Sequence, residues 1–439
     1  MLRRRLAGTR PRLPVLVPLV GALTALAACA PVPPGESATG GEAGTDATSS
    51  SSSSATSGEA SVTDATSADP SAGSSGAATM TTDPTTTSAT ATDSVGETTT
   101  GQPASCGNGQ VDPGELCYEG PFAHGNKRAR AEDLALGDVD GDGALDVITI
   151  NGVPLPGAEQ EGIDYTIEVF LGDGQGGFSD AVWSGAPKHS SPTAGVVVVD
   201  LDLDGHADLV TAGDSADATI LRGVGDGTFI DGGDPIPLGL EPSSSPVAIA
   251  ARDLDGDGAP DLLAIGGAEP GALAVTRGDG GGGTLPPTLY AAGVFPNSLA
   301  LGQLGGDAHV DAVAGNWWEL SLTIFPGAAG GSFADAWERP TVDTPRAVAL
   351  VDLNEDGADD VVMTLGALGL GVHRNLGDGV FSKPDTYPAS TGDRVHGGDC
   401  NGDGLVDVAA AGADDAALVF LGHGDRTLDA ARLVEAPLA

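Results

Sequence analysis

The sequence predicts an all-β fold, a β-propeller of six four-stranded blades spanning residues 121–439. Three observations predict it. An acidic stretch, GDVDGDGALDVITI at residues 137–150, recurs in six copies. A glycine-rich turn runs in step with every copy. No segment between them carries a helical period, and β-branched residues flank the turns. Repeats of this size, each read as about four short strands, bury their apolar faces only by stacking on neighbours. Arranged in a circle they leave no exposed sheet edge.

The copies begin LALGDVDGDGALDVITI, VVVVDLDLDGHADLVTA, AIAARDLDGDGAPDLLAI, LALGQLGGDAHVDAVAGN, AVALVDLNEDGADDVVMT and RVHGGDCNGDGLVDVAAAG. Aligned on their first acidic position they start at residues 138, 200, 253, 303, 352 and 399, at spacings of 62, 53, 50, 49 and 47. The turns read FLGDGQGGF, LRGVGDGTF, TRGDGGGGTL, FPGAAGGSF, HRNLGDGVF and FLGHGDRTL, each a short strand, a bend and a large apolar residue. Glycine there supplies the positive φ of a tight turn. An aromatic follows most turns, at Trp183, Tyr290, Trp337 and Tyr387. These are expected to plug the outer strand of each unit rather than to touch a ligand. The C-terminal stretch RLVEAPL at 432–438 matches the aromatic-strand position, so it is expected to complete the first blade and close the ring. A seventh, degenerate blade is the competing count.

Within the first acidic stretch, carboxylates stand at loop positions 1, 3, 5 and 9, with Gly143 at position 6. Four like charges this close call for a cation or full solvation. Hard oxygen ligands in this number suit Ca²⁺, with the backbone carbonyl of position 7 as a further donor. Five loops are complete: Asp138, Asp140, Asp142 and Asp146; Asp200, Asp202, Asp204 and Asp208; Asp253, Asp255, Asp257 and Asp261; Asp352, Asn354, Asp356 and Asp360; Asp399, Asn401, Asp403 and Asp407. Their position-7 residues are Ala144, His206, Ala259, Ala358 and Leu405. The fourth copy has Gln303, Gly305, Asp307, Ala308 and Asp311; it lacks two carboxylates and the bend glycine, and is expected empty or weak. A calcium-sensor loop between helices would need a glutamate at position 12, where Thr149, Thr211, Ala264, Met363 and Ala410 stand instead. The expectation is about five structural Ca²⁺ ions.

These repeats resemble the FG-GAP/VCBS family, whose signature is D-x-D-x-D-G-x-x-D between two strands and which includes the integrin α-chain propellers and many bacterial surface proteins. The resemblance covers roughly residues 122–439. It implies a calcium-binding propeller at a cell surface. The family is usually seven-bladed, from which six copies depart.

The N-terminal part is a different object. Arg3, Arg4, Arg5, Arg10 and Arg12 precede the apolar stretch VLVPLVGALTALAA, the pattern of an export signal over residues 1–28. Leu26-Ala27-Ala28-Cys29 resembles a bacterial lipobox, which implies cleavage before Cys29 and lipid on that residue. Residues 29–105 continue as a Ser/Thr-rich tether; from 35 to 105 there is no Lys, Arg, Leu, Ile or aromatic residue to build a core. Residues 106–120 hold CGNGQVDPGELC, whose Cys106 and Cys117 are expected to pair in an exported chain. That stretch resembles a short Cys-rich motif of surface proteins from myxobacteria and relatives, and points to location rather than activity. Cys400 is left over, expected as a buried thiol.

The whole chain carries a formal charge of −43, and without the five signal arginines 14 basic residues face 62 acidic ones. That argues against nucleic acid as a partner. An envelope location follows, lipid-anchored, with the outer membrane or cell surface favoured because Ala30 is not the aspartate of an inner-membrane retention signal. None of the seven histidines forms a metal pair, and no G-x-S-x-G or phosphate loop appears. Each lone histidine is read as a surface or turn residue. The expectation is a non-catalytic binding or adhesion module for a protein or glycan. An extracytoplasmic lyase or hydrolase on a propeller scaffold, or a purely structural envelope protein, are the alternatives. In NWWEL at 316–320 strand alternation would put Trp317 and Trp318 on opposite faces, one in the core and one exposed for ligand stacking.

Overall fold

A computed structural model describes residues 130–154, 163–174, 177–186, 195–213, 215–241, 246–267, 269–377, 379–412 and 416–434. The predicted signal, tether and Cys-bracketed loop lie outside them. The described residues form six sheets stacked as propeller blades. Blade 1 holds β1 (Arg130–Gly137), β2 (Asp146–Pro154), β3 (Ile163–Phe170) and β4 (Trp183–Gly185). Blade 2 holds β5 (Gly195–Val199), β6 (Asp208–Ala212), β7 (Asp217–Gly223), β8 (Phe229–Asp231) and β9 (Ile236–Pro237). Blade 3 holds β10 (Pro246–Arg252), β11 (Asp261–Gly267), β12 (Gly271–Thr276) and β13 (Thr288–Ala291). In blade 4 are β14 (Pro296–Gly302), β15 (Asp311–Asn316), β16 (Ser321–Phe325), a two-stranded turn of β17 (Gly327–Ala328) and β18 (Ser332–Phe333), and β19 (Trp337–Pro340). Blade 5 is β20 (Ala347–Val351), β21 (Asp360–Thr364), β22 (Leu370–His373) and β23 (Asp385–Tyr387). Blade 6 is β24 (Thr391–Gly398), β25 (Asp407–Gly412), β26 (Ala417–Phe420) and β27 (Arg432–Val434). Each is antiparallel in chain order; in blade 2 the fourth strand is broken, β8 and β9 both pairing with β7.

One expectation is overturned. The C-terminal strand does not complete blade 1. Its Arg432–Val434 pairs with β26 of its own repeat, and blade 1 already has β4 as its fourth strand. The aromatic strand closes its own repeat rather than opening the next, so among the described residues no strand is left over to be shared. Closure falls instead to side chains. Arg394 of β24 reaches Asp133 of β1 at 3.0 Å, and the other oxygen of Asp133 accepts the amide of Val196 in β5 at 3.0 Å.

The core lies between blades. Second strands are apolar on both faces because a neighbouring blade covers each: β6, β15 and β21 are buried at every residue. One cluster joins blades 1 and 2 through Ile148, Ile167, Leu209 and Phe229; the next joins blades 2 and 3 through Val210, Ile220, Leu262 and Leu238. The expected aromatic plugs occupy the fourth strands. Each meets the turn or third strand of the following blade: Trp183 on Phe229 at 5.3 Å, Tyr290 on Phe333 at 5.4 Å, Trp337 on Phe381 at 6.2 Å and Tyr387 on Phe420 at 6.4 Å. Such ring pairs add about 0.5–1.5 kcal/mol each beyond burial. The hydroxyls of Tyr290 and Tyr387 also accept the amides of Phe333 and Leu428.

Two further expectations change. Cys400 is half of a disulfide whose other half lies outside the described residues, not a free thiol. His373 is neither a surface nor a turn residue: it is 1 % exposed in β22, where Arg339 donates to its Nδ1 at 3.2 Å and burial pushes its pKa down. It is a neutral core histidine.

Candidate metal centres and the opposite face

Antiparallel order places the functional features. The first strand of each blade runs to one end of the propeller and enters the acidic loop there. The second strand returns, and the third runs back to deliver the glycine-rich turn beside that loop. The hairpin between second and third strands therefore lies at the opposite end.

In each complete loop the position-1 aspartate organises the backbone. Asp138 accepts the amides of Gly141 at 2.8 Å and Gly143 at 2.9 Å. Asp253 and Asp399 do the same for their loops, while Asp200 and Asp352 accept the amides of positions 5 and 6. Left-handed residues make the inward bend possible: Gly141 and Gly143 have φ of 76° and 88°. Loops 2 and 5 keep that conformation at position 4 with Leu203 and Glu355, at φ of 60° and 58°. Position-5 carboxylates accept the position-7 amides, those of Ala144, His206, Ala259, Ala358 and Leu405, at 2.8–3.1 Å.

The position-9 aspartate begins the second strand and is buried in all six repeats. Asp146 shows its task. One oxygen accepts the amide of Val139 at 2.7 Å and the other that of Gly172, the first residue of the glycine-rich turn, at 2.8 Å. Asp208, Asp261 and Asp407 repeat this double grip. So does Asp311 in the decayed fourth loop. The sequence suggested a ligand at position 9; the structure adds a joint between loop and turn. Burial raises the pKa of Asp146, Asp208, Asp261 and Asp407, and pushes Asp360 up to about 6.

Positions 1, 3 and 9 come together in the first three loops. Oxygens of Asp138, Asp140 and Asp146, of Asp200, Asp202 and Asp208, and of Asp253, Asp255 and Asp261 lie within 4.8 Å of one another. Asp142, Asp204 and Asp257 at position 5 are not in those groups. In loops 5 and 6 Asn354 and Asn401 replace the position-3 acid. The donor sets fit a hard cation on a second count. Asp202 Oδ1, at position 3 of loop 2, is buried without a hydrogen-bond partner. A buried oxygen in that condition costs about 1–3 kcal/mol, which a bound cation would remove.

Sequence reasoning missed the arginines. Arg222 Nη1 lies 3.2 Å from Asp202 and 2.6 Å from Asp208, and its Nη2 reaches the carbonyl of Gly282 in blade 3 at 3.1 Å. Arg277 approaches Asp255 at 3.3 Å and donates to Gly330 of blade 4. Arg426, in the turn of blade 6, pairs with Asp356 and Asp360 of blade 5. The visible signal was slight: arginine before the turn in some repeats, and GHGDRT where other turns place glycine at the fifth position.

At the opposite end of blade 4, Trp317 and Trp318 lie in the β15–β16 turn, not in a strand, so alternation does not apply to them. Neither is core. Trp317 is half-buried with the Arg346 guanidinium 5.6 Å from its ring, and Trp318 is 68 % exposed, its ring 5.9 Å from that of Phe295. Trp317 donates its amide to the carbonyl of Phe295, and Glu319 accepts the amide of Val294. Phe295 and Leu320 hold left-handed backbones at φ of 54° and 52°.

Among the described residues no helix is long and apolar enough to cross a membrane. No curated protein matches the chain. Among solved structures, a protein from Lactobacillus plantarum aligns with a TM-score of 0.50 at 14% identity, covering 70% of this chain and 85% of that one. A BBS1N–ARL6DN complex soaked with lead aligns with a TM-score of 0.44 at 10% identity, covering 68% of this chain and 81% of that one. At such identity the first likeness speaks to fold alone. A model of the FG-GAP-like repeat matches residues 138–211 and again 200–264, in register with the first three acidic loops. Residues 138–264 carry FG-GAP-like repeats, and the described residues fold as a six-bladed β-propeller.

Proposed function

We propose that the chain is a lipid-anchored, calcium-binding propeller that works outside the cytoplasm as a non-catalytic binding module for a protein or glycan. Ca²⁺ ions, held by the complete loops other than loop 5, where Arg426 already pairs with Asp356 and Asp360, would supply the positive charge that lets buried carboxylates stay ionised. They would steady one end of the ring and leave the other for recognition.

The observation that carries the reading is the Phe295–Trp318 pair. A large aromatic left 68 % exposed beside a second exposed ring offers a stacking surface for a sugar or a flat peptide group. The backbone around it is costly: two non-glycine residues in the left-handed region require roughly 1–3 kcal/mol each. The hydrogen bonds that Trp317 donates and Glu319 accepts hold that geometry against relaxation. FG-GAP repeats are typical of extracellular proteins, which suits the export signal.

The test is an array of glycans and protein ligands probed with the full chain and with Trp318→Ala, with a parallel assay for turnover. The expected result is a ligand bound without turnover and lost in Trp318→Ala at unchanged Tm. Turnover of a bound ligand would overturn the reading in favour of an enzyme. Binding that ignores Trp318→Ala would move the site elsewhere.

A further inference from the structure

In blades 2, 3 and 4 the glycine-rich turn leans on the acidic loop of the blade before it, and its fifth residue makes the approach. That residue is left-handed: Gly227, Gly282, Gly331 and Gly379 have φ of 78°, 77°, 63° and 70°. In blades 3 and 4 a side chain there would run into the preceding loop. A Cβ on Gly282 would stand 2.7 Å from Asp202 Cβ, and one on Gly331 would stand 3.0 Å from Asp255 Cβ. Glycine thus serves two purposes, backbone freedom and room for the loop.

Blade 6 breaks the pattern. Its fifth turn residue is Arg426, held at φ of 67° despite its side chain. Left-handed backbone disfavours every residue but glycine and, less so, asparagine, so something must hold this arginine in place. Its side chain supplies the reason. It crosses into loop 5, where Nη2 pairs with Asp356 and Nε lies 3.3 Å from Asp360 Oδ1. Arg426 is 19% exposed and Asp360 is fully buried. The guanidinium therefore spans positions 5 and 9 of one loop, from the mouth to the floor. In loops 2 and 3 the arginines come from the same blade's third strand and touch positions 3 and 9, or 3 alone, and three carboxylate oxygens still converge there. Loop 5 offers one acid fewer, since Asn354 stands at position 3.

We infer that Arg426 is a built-in cation which takes the place of calcium in loop 5 and clamps blade 6 onto blade 5. This rests on the reading of the other complete loops as calcium sites. A planar fork with fixed charge suits two carboxylates set apart across a loop. Being covalently attached, it needs no ion concentration to stay bound, unlike sites that fill by mass action. Loop 5 thereby becomes a permanent joint among exchangeable ones.

The experiment counts ions. Calcium bound per chain is measured by equilibrium titration on the wild type, on Arg426→Gly and on Arg426→Asn, both of which tolerate the left-handed turn. Each variant should bind one ion more than the wild type, through Asp352, Asn354, Asp356 and Asp360. The rise in Tm on adding calcium should be larger in both variants than in the wild type. An unchanged ion count, with the other loops filled, would overturn the role of Arg426 and leave the calcium reading intact. No ion on any of the three proteins would overturn the calcium reading and the exchange with it.

Discussion

Replacing Asp311 with alanine should destabilise the protein more than removing any exposed acid of the same loop. Asp311 sits in the one repeat whose loop has lost its ligand set, so its worth can be measured apart from any ion. Its Oδ2 accepts the amides of Leu304 at 2.6 Å and Gly305 at 3.1 Å, and its Oδ1 accepts that of Gly327 at 2.6 Å. The residue is 3 % exposed, so water does not replace these bonds freely. A buried donor left without an acceptor costs about 1–3 kcal/mol. Taking two of the three donors as closed to solvent, Asp311→Ala should lose about 2–6 kcal/mol. That is a large part of the roughly 5–15 kcal/mol by which domains are stable. Asp311→Asn keeps one acceptor oxygen and should lose about half as much. Asp307→Ala removes one exposed bond, to the amide of His309 at 2.9 Å, and should lose less than about 1 kcal/mol. The assay is urea unfolding of the full chain, read from the midpoint at equal slope, in chelator and in excess calcium. The loss should be the same in both. If Asp311→Ala matched Asp307→Ala, or hurt only when calcium was present, the structural role of position 9 would be refuted.

Three other outcomes follow from the same geometry. Without calcium, stability should fall as pH rises from about 4 through about 6: burial raises Asp360 from 3.8 to about 6 and shifts four other position-9 aspartates the same way, so the folded state holds the extra protons and loses that advantage as they leave. For Asp360 alone the change is about 3 kcal/mol; in a pH series of urea midpoints, excess calcium should remove the part owed to Asp146, Asp208, Asp261 and Asp407 and leave that of Asp360. At the seam, Asp133→Ala should cost about 1–3 kcal/mol because it orphans the amide of Val196 and breaks the ion pair with Arg394; Arg394→Ala, whose side chain is 43% exposed, should cost under about 1 kcal/mol, and equal losses in thermal melts would refute the distinction. Tyr387→Phe should lose about 1 kcal/mol by depriving the amide of Leu428 of its acceptor while keeping the ring contact on Phe420.

Much of this architecture is legible in the sequence because a repeat states its rule several times. Aspartates at matched positions, and aromatics after the turns, are patterns that one copy could not establish. Phase is different. A circular array has no natural first strand, so Arg432–Val434 can be read as the last strand of one blade or the first of another until pairing with β26 decides it. Side chains that cross between blades are also invisible, since they join residues such as Arg426 and Asp356 that lie 70 positions apart. Trp317 and Trp318 misled for a third reason. Strand alternation was applied to residues that occupy a turn, where neighbours need not face opposite ways.

The decay of loop 4 shows which parts of the motif answer to the fold. Gln303 and Gly305 have replaced acids at positions 1 and 3, and Ala308 has replaced the bend glycine, yet Asp311 remains and still holds both the loop and the turn. Blade 5 braces the altered loop directly. Asp359 accepts the amide of Gln303 at 2.7 Å and donates its own amide to the Gln303 carbonyl at 2.7 Å, while Asn375 donates to the carbonyl of Leu304 at 2.9 Å. Position 9 belongs to the blade and positions 1 and 3 to the loop. A carboxylate whose partners are backbone amides of two segments cannot be lost without orphaning both. One whose partners lie within its own loop can be lost whenever a neighbour takes over the bracing. The same blade that has given up its acids carries the exposed Trp318 turn at its other end, so change at one end has left the strands between intact.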